Sequence, residues 1–375
     1  MVSRTFPDQP TCGSDARTVE PGSRRPGVLR AASLILLNTL LLAALAESIA
    51  RVAEWVRPER AELAFEYAPY RMLRTTRAPW PLNREGFRAA ELESYRGSFL
   101  IEFLGGSVCL GVGTDPGPVL TERLEQALHQ AGLERARVLN LCQSGATSAQ
   151  ELAIFLQYGL PLKPQVVISF NGANDLLHPQ PTGDDEAPNL PYRNRELEAR
   201  FAGSAARDLG RHLAVVRIAG RLARRGSSEG GGTAVELAAI VDSYVQTLDS
   251  TRVLTEASGG LYAVALQPAL HLEKPWSADE SAMWRRRRPD RGEWIRSLAR
   301  ERFTFARTAL VAWGAKTRTS FYDLTRVFRS TPEPVYSDSV HFTGERGYRM
   351  LFEELERQGL VREITQRYGV WAGQQ

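Results

Sequence analysis

The segment Phe99-Leu100-Ile101-Glu102-Phe103-Leu104-Gly105-Gly106-Ser107 is a short apolar run that ends in two glycines and a serine. Such a run is typical of a buried strand in a parallel sheet. We expect the glycines to let the backbone turn sharply at the carboxyl end of the strand, which is where open α/β sheets bind ligands. Ser107 is therefore well placed for a nucleophile, and a strand-to-helix turn with a capping serine is an equally good interpretation.

Apolar strands and helical segments alternate along the rest of the chain, which predicts an α/β fold built from βαβ units. The predicted strands are 99–104, 138–141, 165–170, 261–266 and 319–324. The predicted helices are 118–132, 148–159, 236–256, 291–314 and 344–358. Two Ser/Glu pairs have the spacing of a capping box: Ser148 with Glu151, and Ser277 with Glu280.

Length and composition predict a globular protein of one large or two ordinary domains. The chain has 375 residues, of which 43% are hydrophobic and 24% charged. The formal net charge of +4 is too small to indicate a nucleic-acid partner. The three cysteines are Cys12, Cys109 and Cys142, and they form no zinc-type pattern with histidine. We therefore expect neither a metal nor another cofactor.

The N-terminal region predicts a membrane anchor. Residues 1–30 are rich in Pro, Gly, Ser and Arg and predict a disordered cytoplasmic tail. The run from Ala31 to Ala46 is uncharged and dominated by Leu and Ala. With its ends, the predicted anchor at 31–50 is just long enough to span a bilayer, which takes about 20 residues. Arginines immediately before this run place the N-terminus in the cytoplasm and the rest of the chain outside. Ala44-Leu45-Ala46 resembles a signal-peptidase site, so the segment is either an uncleaved anchor or a cleaved signal peptide. Both alternatives place the rest of the chain on the same side of the membrane.

Residues 51–97 are predicted to be a juxtamembrane connector, in which Trp80 to Arg88 forms an ordered loop, and the main domain covers 98–375. The interval at about 176–260 is too long for a simple crossover, so it is either a lid or substrate wall, or a solvated insertion without a role. The run Arg285 to Arg288 is either a solvated face or a contact for anionic lipid or glycan.

Four further residues carry chemistry at the ends of predicted elements. Gly145 follows the second strand near a helix N-terminus, where a backbone N–H is free to bind an anion. Asn174 follows the third strand and offers an amide donor to the same point. Asp338 and His341 are three residues apart in a turn, so that the carboxylate can fix the imidazole tautomer.

This order of Ser, Gly, Asn and Asp–His resembles the SGNH/GDSL hydrolase superfamily over about residues 98–358. The resemblance implies a flavodoxin-like three-layer α/β/α sandwich around a central parallel five-stranded sheet. It also implies Ser107 as nucleophile, His341 as general base and Asp338 as its orienting residue. The implied oxyanion hole comprises the Ser107 and Gly145 backbone N–H groups and the Asn174 side chain.

Two features depart from the family pattern. Gly105-Gly106-Ser107 stands where the family usually has Gly-Asp-Ser, and this variant resembles that of membrane-anchored bacterial members. Those members also tend to carry a segment similar to Asn83 to Arg88 before the first strand. Cys142 occupies a place where a small residue is usual. If the first two strands are neighbours, Cys109 and Cys142 border the same site, either as a disulfide or as two buried thiols.

The resemblance implies a serine esterase that hydrolyses carboxyl esters through an acyl-enzyme. Its substrate would be a small-molecule or glycan ester, such as O-acetyl groups on a cell-surface glycan. With the predicted anchor, the protein would be a single-pass protein of the bacterial inner membrane with a periplasmic catalytic domain. Two alternatives stay open: an O-acyltransferase that acts on an envelope polysaccharide, and a catalytically silent binding protein.

Overall fold

The computed structural model describes residues 26–56, 63–68, 71–113, 117–177, 237–287 and 292–369. The chain divides into two compact units. In the described residues the first unit consists of one long helix, and the second contains the sheet and all other helices. Most of the predicted insertion at 176–260 lies outside the described residues. The same holds for the predicted tail at 1–30, apart from its last five residues, which belong to the first helix.

Helix α1 (Pro26–Val56) is long and apolar enough to cross a membrane. Its apolar part, Arg30–Val52, has 23 residues, which at 1.5 Å per residue exceeds the roughly 30 Å hydrocarbon thickness of a bilayer. Leu34 and Leu41 are about 60% exposed, whereas the core helix of a soluble protein would bury such side chains. Length and composition thus support the predicted spanning helix.

The second unit contains seven described strands. They are β1 (Ala64–Ala68), β2 (Met72–Arg77), β3 (Phe99–Gly105), β4 (Ala136–Asn140), β5 (Val166–Asn171), β6 (Leu261–Leu266) and β7 (Ser320–Asp323). Strands β1 and β2 pair as an antiparallel hairpin that was not predicted. The other five form one parallel sheet in the order β4-β3-β5-β6-β7. This is the flavodoxin-like strand order, so the predicted fold is confirmed.

The described helices of this unit cover both faces of the sheet. They are α2 (Ser107–Leu110), α3 (Leu120–Gln130), α4 (Ser148–Ile154), α5 (Ala173–Leu177), α6 (Leu237–Ala257), α7 (Ala278–Arg287), α8 (Gly292–Thr317), α9 (Glu345–Gln358) and α10 (Leu360–Tyr368). A turn of π-helix, Phe155–Gly159, follows α4. The five predicted helices correspond to α3, α4 with its π-turn, α6, α8 and α9.

Strand β3 is buried along its whole length because its side chains alternate between two cores. Ile101 and Phe103 belong to the cluster that includes α3, α9 and α10. Leu100 and Leu104 belong to the cluster that includes α4, α6 and α8. A strand covered on both faces needs apolar residues at successive positions, which explains the continuous apolar run in the sequence.

The strand order reverses between β3 and β5, which pair in register through Gly105 and Phe170. In doubly wound sheets, this reversal opens a crevice at the carboxyl ends of the two strands. Ser107 directly follows β3, and Asn174 follows β5 in α5. The fold thus brings two of the predicted site residues to the usual ligand-binding edge.

The predicted ordered loop before β3 is confirmed. The Asn83 side-chain oxygen accepts the Phe87 N–H at 2.9 Å, and its amide donates to the Ala90 carbonyl at 3.1 Å. Phe87 is fully buried against Tyr158, with ring centroids 5.3 Å apart. The loop therefore packs into the same core as the sheet.

One predicted cap is wrong and the other is confirmed. Helix α4 is capped by Thr147, whose backbone N–H donates to the Gln150 side chain at 2.8 Å, so the Ser148–Glu151 box does not form. At α7, by contrast, the Ser277 N–H donates to the Glu280 carboxylate at 2.9 Å. The Glu280 N–H donates to the Ser277 hydroxyl at 3.2 Å.

Candidate active site

Ser107 is the first residue of α2, and Gly106 precedes it in extended conformation. Neither Gly105 nor Gly106 has a positive φ, so the expected sharp turn does not depend on glycine backbone freedom. The glycines provide space instead. A Cβ on Gly105 would collide with the Phe170 carbonyl, and one on Gly106 would lie 2.6 Å from Asn174 Nδ2. Close approach of β5 and α5 is therefore what requires two glycines here.

The side chains of Ser107, His341 and Asp338 form a continuous hydrogen-bonded chain. His341 Nδ1 lies 2.7 Å from Asp338 Oδ2, and His341 Nε2 lies 2.7 Å from Ser107 Oγ. With the ring proton on Nδ1, the imidazole donates to the carboxylate and accepts from the serine hydroxyl. The structure thus brings together the three residues that the sequence predicts as a triad.

A tight turn presents Asp338 and His341. The Asp338 Oδ1 atom accepts the backbone N–H groups of Val340 at 2.9 Å and of His341 at 2.8 Å. At the base of the turn, the Ser337 N–H donates to the His341 carbonyl at 2.8 Å. The spacing of three residues therefore allows one carboxylate to fix both the backbone and the ring of the histidine.

Asp338 is held in its ionised form. Burial alone would raise the pKa of this carboxyl, but the hydrogen bonds and positive charge of His341 outweigh burial and lower the pKa to about 2. Asp338 is therefore a carboxylate at neutral pH and can stabilise a positive imidazolium.

Two backbone N–H groups beside Ser107 are available to bind an anion. Within the described residues, neither the Ser107 N–H nor the Gly145 N–H has a hydrogen-bond acceptor. Gly145 has φ +74°, a left-handed conformation that favours glycine. The predicted third donor, Asn174, uses Nδ2 to bond the Ala146 carbonyl at 2.7 Å and lies against Gly106. Its amide thus lies between the Ser107 turn and the Gly145 turn.

Ser148 and Asp175 form a buried link that the sequence interpretation missed. The fully buried Asp175 carboxylate accepts the Ser148 hydroxyl at 2.7 Å and the Ser148 N–H at 3.1 Å. Burial raises the pKa of Asp175 to about 6 despite these bonds. The link joins the loops that carry Gly145 and Asn174. An aspartate directly after Asn174 was the available sequence signal.

Cys109 and Cys142 form a disulfide, with Cα atoms 5.7 Å apart. Of the two arrangements left open by the sequence, the structure has the bridge rather than two buried thiols. Cys109 is in α2, two residues after Ser107, and Cys142 is three residues before Gly145. The bond therefore links the serine turn to the Gly145 loop.

Other predicted features fall partly outside the described residues. Arg285 and Arg286 are exposed at the end of α7, whereas Arg288 is not described. The lid or wall at 176–260 is described only as α5 and α6. Among the described residues, no group of three or more His, Cys, Asp or Glu side chains could hold a metal.

Comparison with known proteins gives one family match. The model of the GDSL-like lipase/acylhydrolase family matches residues 103–350. A lipase/acylhydrolase from Enterococcus faecalis has 19% identity, with 72% of this chain and 96% of that chain covered, at a TM-score of 0.39. An acetylxylan esterase from Geobacillus stearothermophilus has 16% identity, with 70% and 94% covered, at a TM-score of 0.41. No curated protein matches significantly.

Proposed function

Because the chain belongs to the GDSL-like lipase/acylhydrolase family and is therefore an ester-bond hydrolase, we propose that it cleaves carboxyl esters through a covalent acyl-serine. Ser107 is the nucleophile, His341 the general base and Asp338 the residue that orients it. The observation that carries this assignment is the unbroken hydrogen-bonded chain from Ser107 Oγ through His341 to Asp338, with both distances 2.7 Å.

In the first half-reaction, Ser107 Oγ attacks the ester carbonyl carbon while His341 Nε2 takes the hydroxyl proton. The tetrahedral intermediate collapses, the C–O bond to the alcohol breaks, and His341 returns its proton to the leaving oxygen. In the second half-reaction, water attacks the acyl carbon while His341 takes its proton. The C–O bond to Ser107 then breaks, His341 returns the proton to Ser107 Oγ, and the acid leaves. The Asp338 carboxylate stabilises the imidazolium in both halves.

Negative charge develops on the carbonyl oxygen in each tetrahedral state. We assign its stabilisation to the Ser107 N–H, the Gly145 N–H and the Asn174 amide. The absence of a competing acceptor for the two backbone groups in the described residues supports this role, because preorganised donors need no rearrangement during reaction.

We further propose that the catalytic unit lies outside the cytoplasm of a bacterial cell, anchored by α1 in the inner membrane. The support is the apolar length of Arg30–Val52 together with the arginines that precede it. An envelope location makes O-acetyl groups on a cell-surface glycan the proposed substrate. Water is the proposed acceptor, as expected for a member of a lipase/acylhydrolase family.

The first test is labelling of the full chain, purified in detergent, with a serine-reactive fluorophosphonate. Wild type should be labelled, whereas Ser107→Ala and His341→Ala should be neither labelled nor active on a short activated ester, because the two groups act as a unit. Ser94→Ala, at an exposed serine, is the control and should behave as wild type. Full esterase activity in Ser107→Ala would end the covalent-serine proposal.

The second test separates hydrolysis from acyl transfer. The full chain is incubated with an acetyl ester and a panel of glycan oligomers, and free acetate and acetylated sugar are both measured by mass spectrometry. Free acetate should dominate. Acetylated sugar in excess of acetate at millimolar glycan would instead identify an O-acyltransferase, and absence of both products with an intact Ser107 would favour the silent binding protein.

A further inference from the structure

A buried ion pair lies close to the turn that carries Asp338 and His341. Lys274 Nζ and Glu280 Oε2 are 2.7 Å apart, and their side chains are 1% and 0% exposed. Removing two charges from water is costly unless the pair also has well-formed hydrogen bonds. Such a pair seldom adds much stability over an apolar pair of the same size, so its other contacts are informative.

The second oxygen of Glu280 binds the backbone of the turn. Glu280 Oε1 accepts the N–H groups of Val335 and Tyr336, each at 3.0 Å, while Oε2 also accepts the Ser277 N–H at 2.9 Å. Burial opposes ionisation of this carboxyl, but Lys274 and the three backbone donors outweigh burial and lower its pKa. One carboxylate thus connects the first turn of α7 to residues just before Asp338.

Val335 and Tyr336 form one side of a narrow hairpin whose tip is the catalytic turn. The Thr343 N–H donates to the Val335 carbonyl at 2.7 Å, and Tyr336 and Phe342 form an antiparallel bridge. Inside the tip, the hydrogen bonds of Asp338 fix the position of His341 relative to Asp338, but they do not fix it relative to Ser107. The distance from His341 to Ser107 therefore depends on how the hairpin is held, at its base and also at its tip, where the Ser339 carbonyl accepts the Leu270 N–H at 2.9 Å.

We propose that Glu280, paired with Lys274, is a positioning residue that sets the placement of the Asp338–His341 turn against Ser107 through the Val335 and Tyr336 amides. This inference rests on the proposed function of the triad. A displacement of about 1 Å in a catalytic group can lower a rate by about 10²-fold. In this proposal, catalysis depends on the Glu280 oxygen that accepts the Val335 and Tyr336 N–H groups, and not on the negative charge of Glu280.

Two double variants of the full chain distinguish the effect of losing the hydrogen-bond acceptor of Glu280 from the effect of losing its charge. Lys274→Met with Glu280→Met removes both charges and the acceptor at nearly constant volume, a change that buried pairs often tolerate. Lys274→Met with Glu280→Gln removes the same charges but leaves a carbonyl oxygen to accept the Val335 and Tyr336 amides. Initial rates on a short activated ester are measured against the concentration of folded protein, determined by near-ultraviolet circular dichroism.

The Met/Met variant should lose at least about tenfold in kcat with KM unchanged, since substrate contacts are intact. The Met/Gln variant should stay within about threefold of wild type, which a purely structural role would not predict. Wild-type kcat in Met/Met, or an equal loss in both variants, would overturn the inference. Ser107→Ala is measured in parallel, because esterase activity in that variant would refute the proposed function itself rather than the role of Glu280.

Discussion

Asn174 contacts both loops that surround the Ser107 hydroxyl. Its Nδ2 atom donates to the Ala146 carbonyl at 2.7 Å, and the same atom occupies the space that a Cβ on Gly106 would need. The side chain is therefore fixed before any substrate arrives. A donor with a fixed position stabilises a developing oxyanion without a reorganisation cost.

Asn174→Ala should lower kcat by about 10²–10³-fold, equivalent to about 3–4 kcal/mol of transition-state stabilisation, with a small change in KM. Initial-rate kinetics on a short activated ester measure both constants. Asn174→Asp, which replaces the donor by a negative charge, should lose more activity than Asn174→Ala. Near-wild-type kcat in the alanine variant would remove Asn174 from the proposed oxyanion hole.

At the scale of elements, the disulfide connects α2 to the loop after β4. Its two cysteines are separated by 33 positions in the chain. Cross-linking a loop of this length restricts the unfolded chain and corresponds to about 4 kcal/mol in the loop-entropy description. The bond also limits movement between the Ser107 and Gly145 N–H groups.

Alkylation under denaturing conditions should therefore modify one cysteine without reductant and all three with reductant, because only Cys12 is outside the bridge. Mass spectrometry of the intact chain counts the labels. Cys109→Ala combined with Cys142→Ala should unfold at a lower temperature than wild type. Three labels in the absence of reductant would show that the bridge does not form in the purified protein.

Strand β3 also contains a buried acid that the proposed mechanism does not use. Neither carboxyl oxygen of Glu102 has a hydrogen-bond partner among the described residues. The π-turn Phe155–Gly159 lies against it, and a Cβ on Gly159 would collide with the carboxyl group. Burial raises the pKa of Glu102 from 4.5 to about 8. Glu102 is therefore neutral in the folded protein at neutral pH.

Because the folded state holds this proton more tightly than the unfolded state, stability should fall as pH rises from 4.5 to about 8. At 1.36 kcal/mol per pH unit, the full interval corresponds to a loss of about 5 kcal/mol in the free energy of unfolding. Denaturant unfolding of Glu102→Gln should show a shallower decline over this interval than wild type. Glu356→Gln, at an exposed position, serves as the control. Equal slopes in wild type and Glu102→Gln would contradict the expected titration.

Strands β3, β5 and β6 were predictable because each is a nearly continuous apolar run. Strands β4 and β7 contain polar residues and were predictable from the alternation of strands with helical segments. Helices α2 and α5 have only four and five residues, too few to show a helical period. At α4, Thr147/Gln150 and Ser148/Glu151 fit the same capping pattern. The Glu151 carboxylate instead accepts the Asn171 side-chain amide, a contact between positions 20 apart that no local pattern shows. Motif order predicted the three residues that the structure joins in one hydrogen-bonded chain, Ser107, His341 and Asp338. The Glu280 contact to Val335 joins positions 55 apart and leaves no local pattern.

At the scale of the whole molecule, the proposed topology depends on α1, which is long and apolar enough to cross a membrane. Its apolar part is Arg30–Val52. Arginines lie immediately before the uncharged run that starts at Ala31, whereas the flank after that run mixes acidic and basic residues. Short basic flanks are retained in the cytoplasm. The disulfide is consistent with the proposed location, because disulfides persist in oxidising compartments.

A reporter that is active only outside the cytoplasm, fused after residue 375, should be active in a bacterial host. A reporter that is active only in the cytoplasm should be silent at the same position. Replacing Arg24, Arg25 and Arg30 by Glu should shift part of the population to the opposite pattern, because these charges set the orientation. The reverse result for the unaltered chain would place the catalytic unit in the cytoplasm and exclude a surface glycan as substrate.

The hydrogen bond between Ser107 and His341 joins residues 234 positions apart. At a synthesis rate of about 5–20 residues per second, a growing chain contains the serine for roughly 10–50 s before the histidine has been made. Throughout that interval the hydroxyl has no base and is an ordinary alcohol. On the proposed mechanism and topology, an emerging chain would therefore not cleave neighbouring esters while it crosses the membrane, and reactivity would begin only after the C-terminal part has folded.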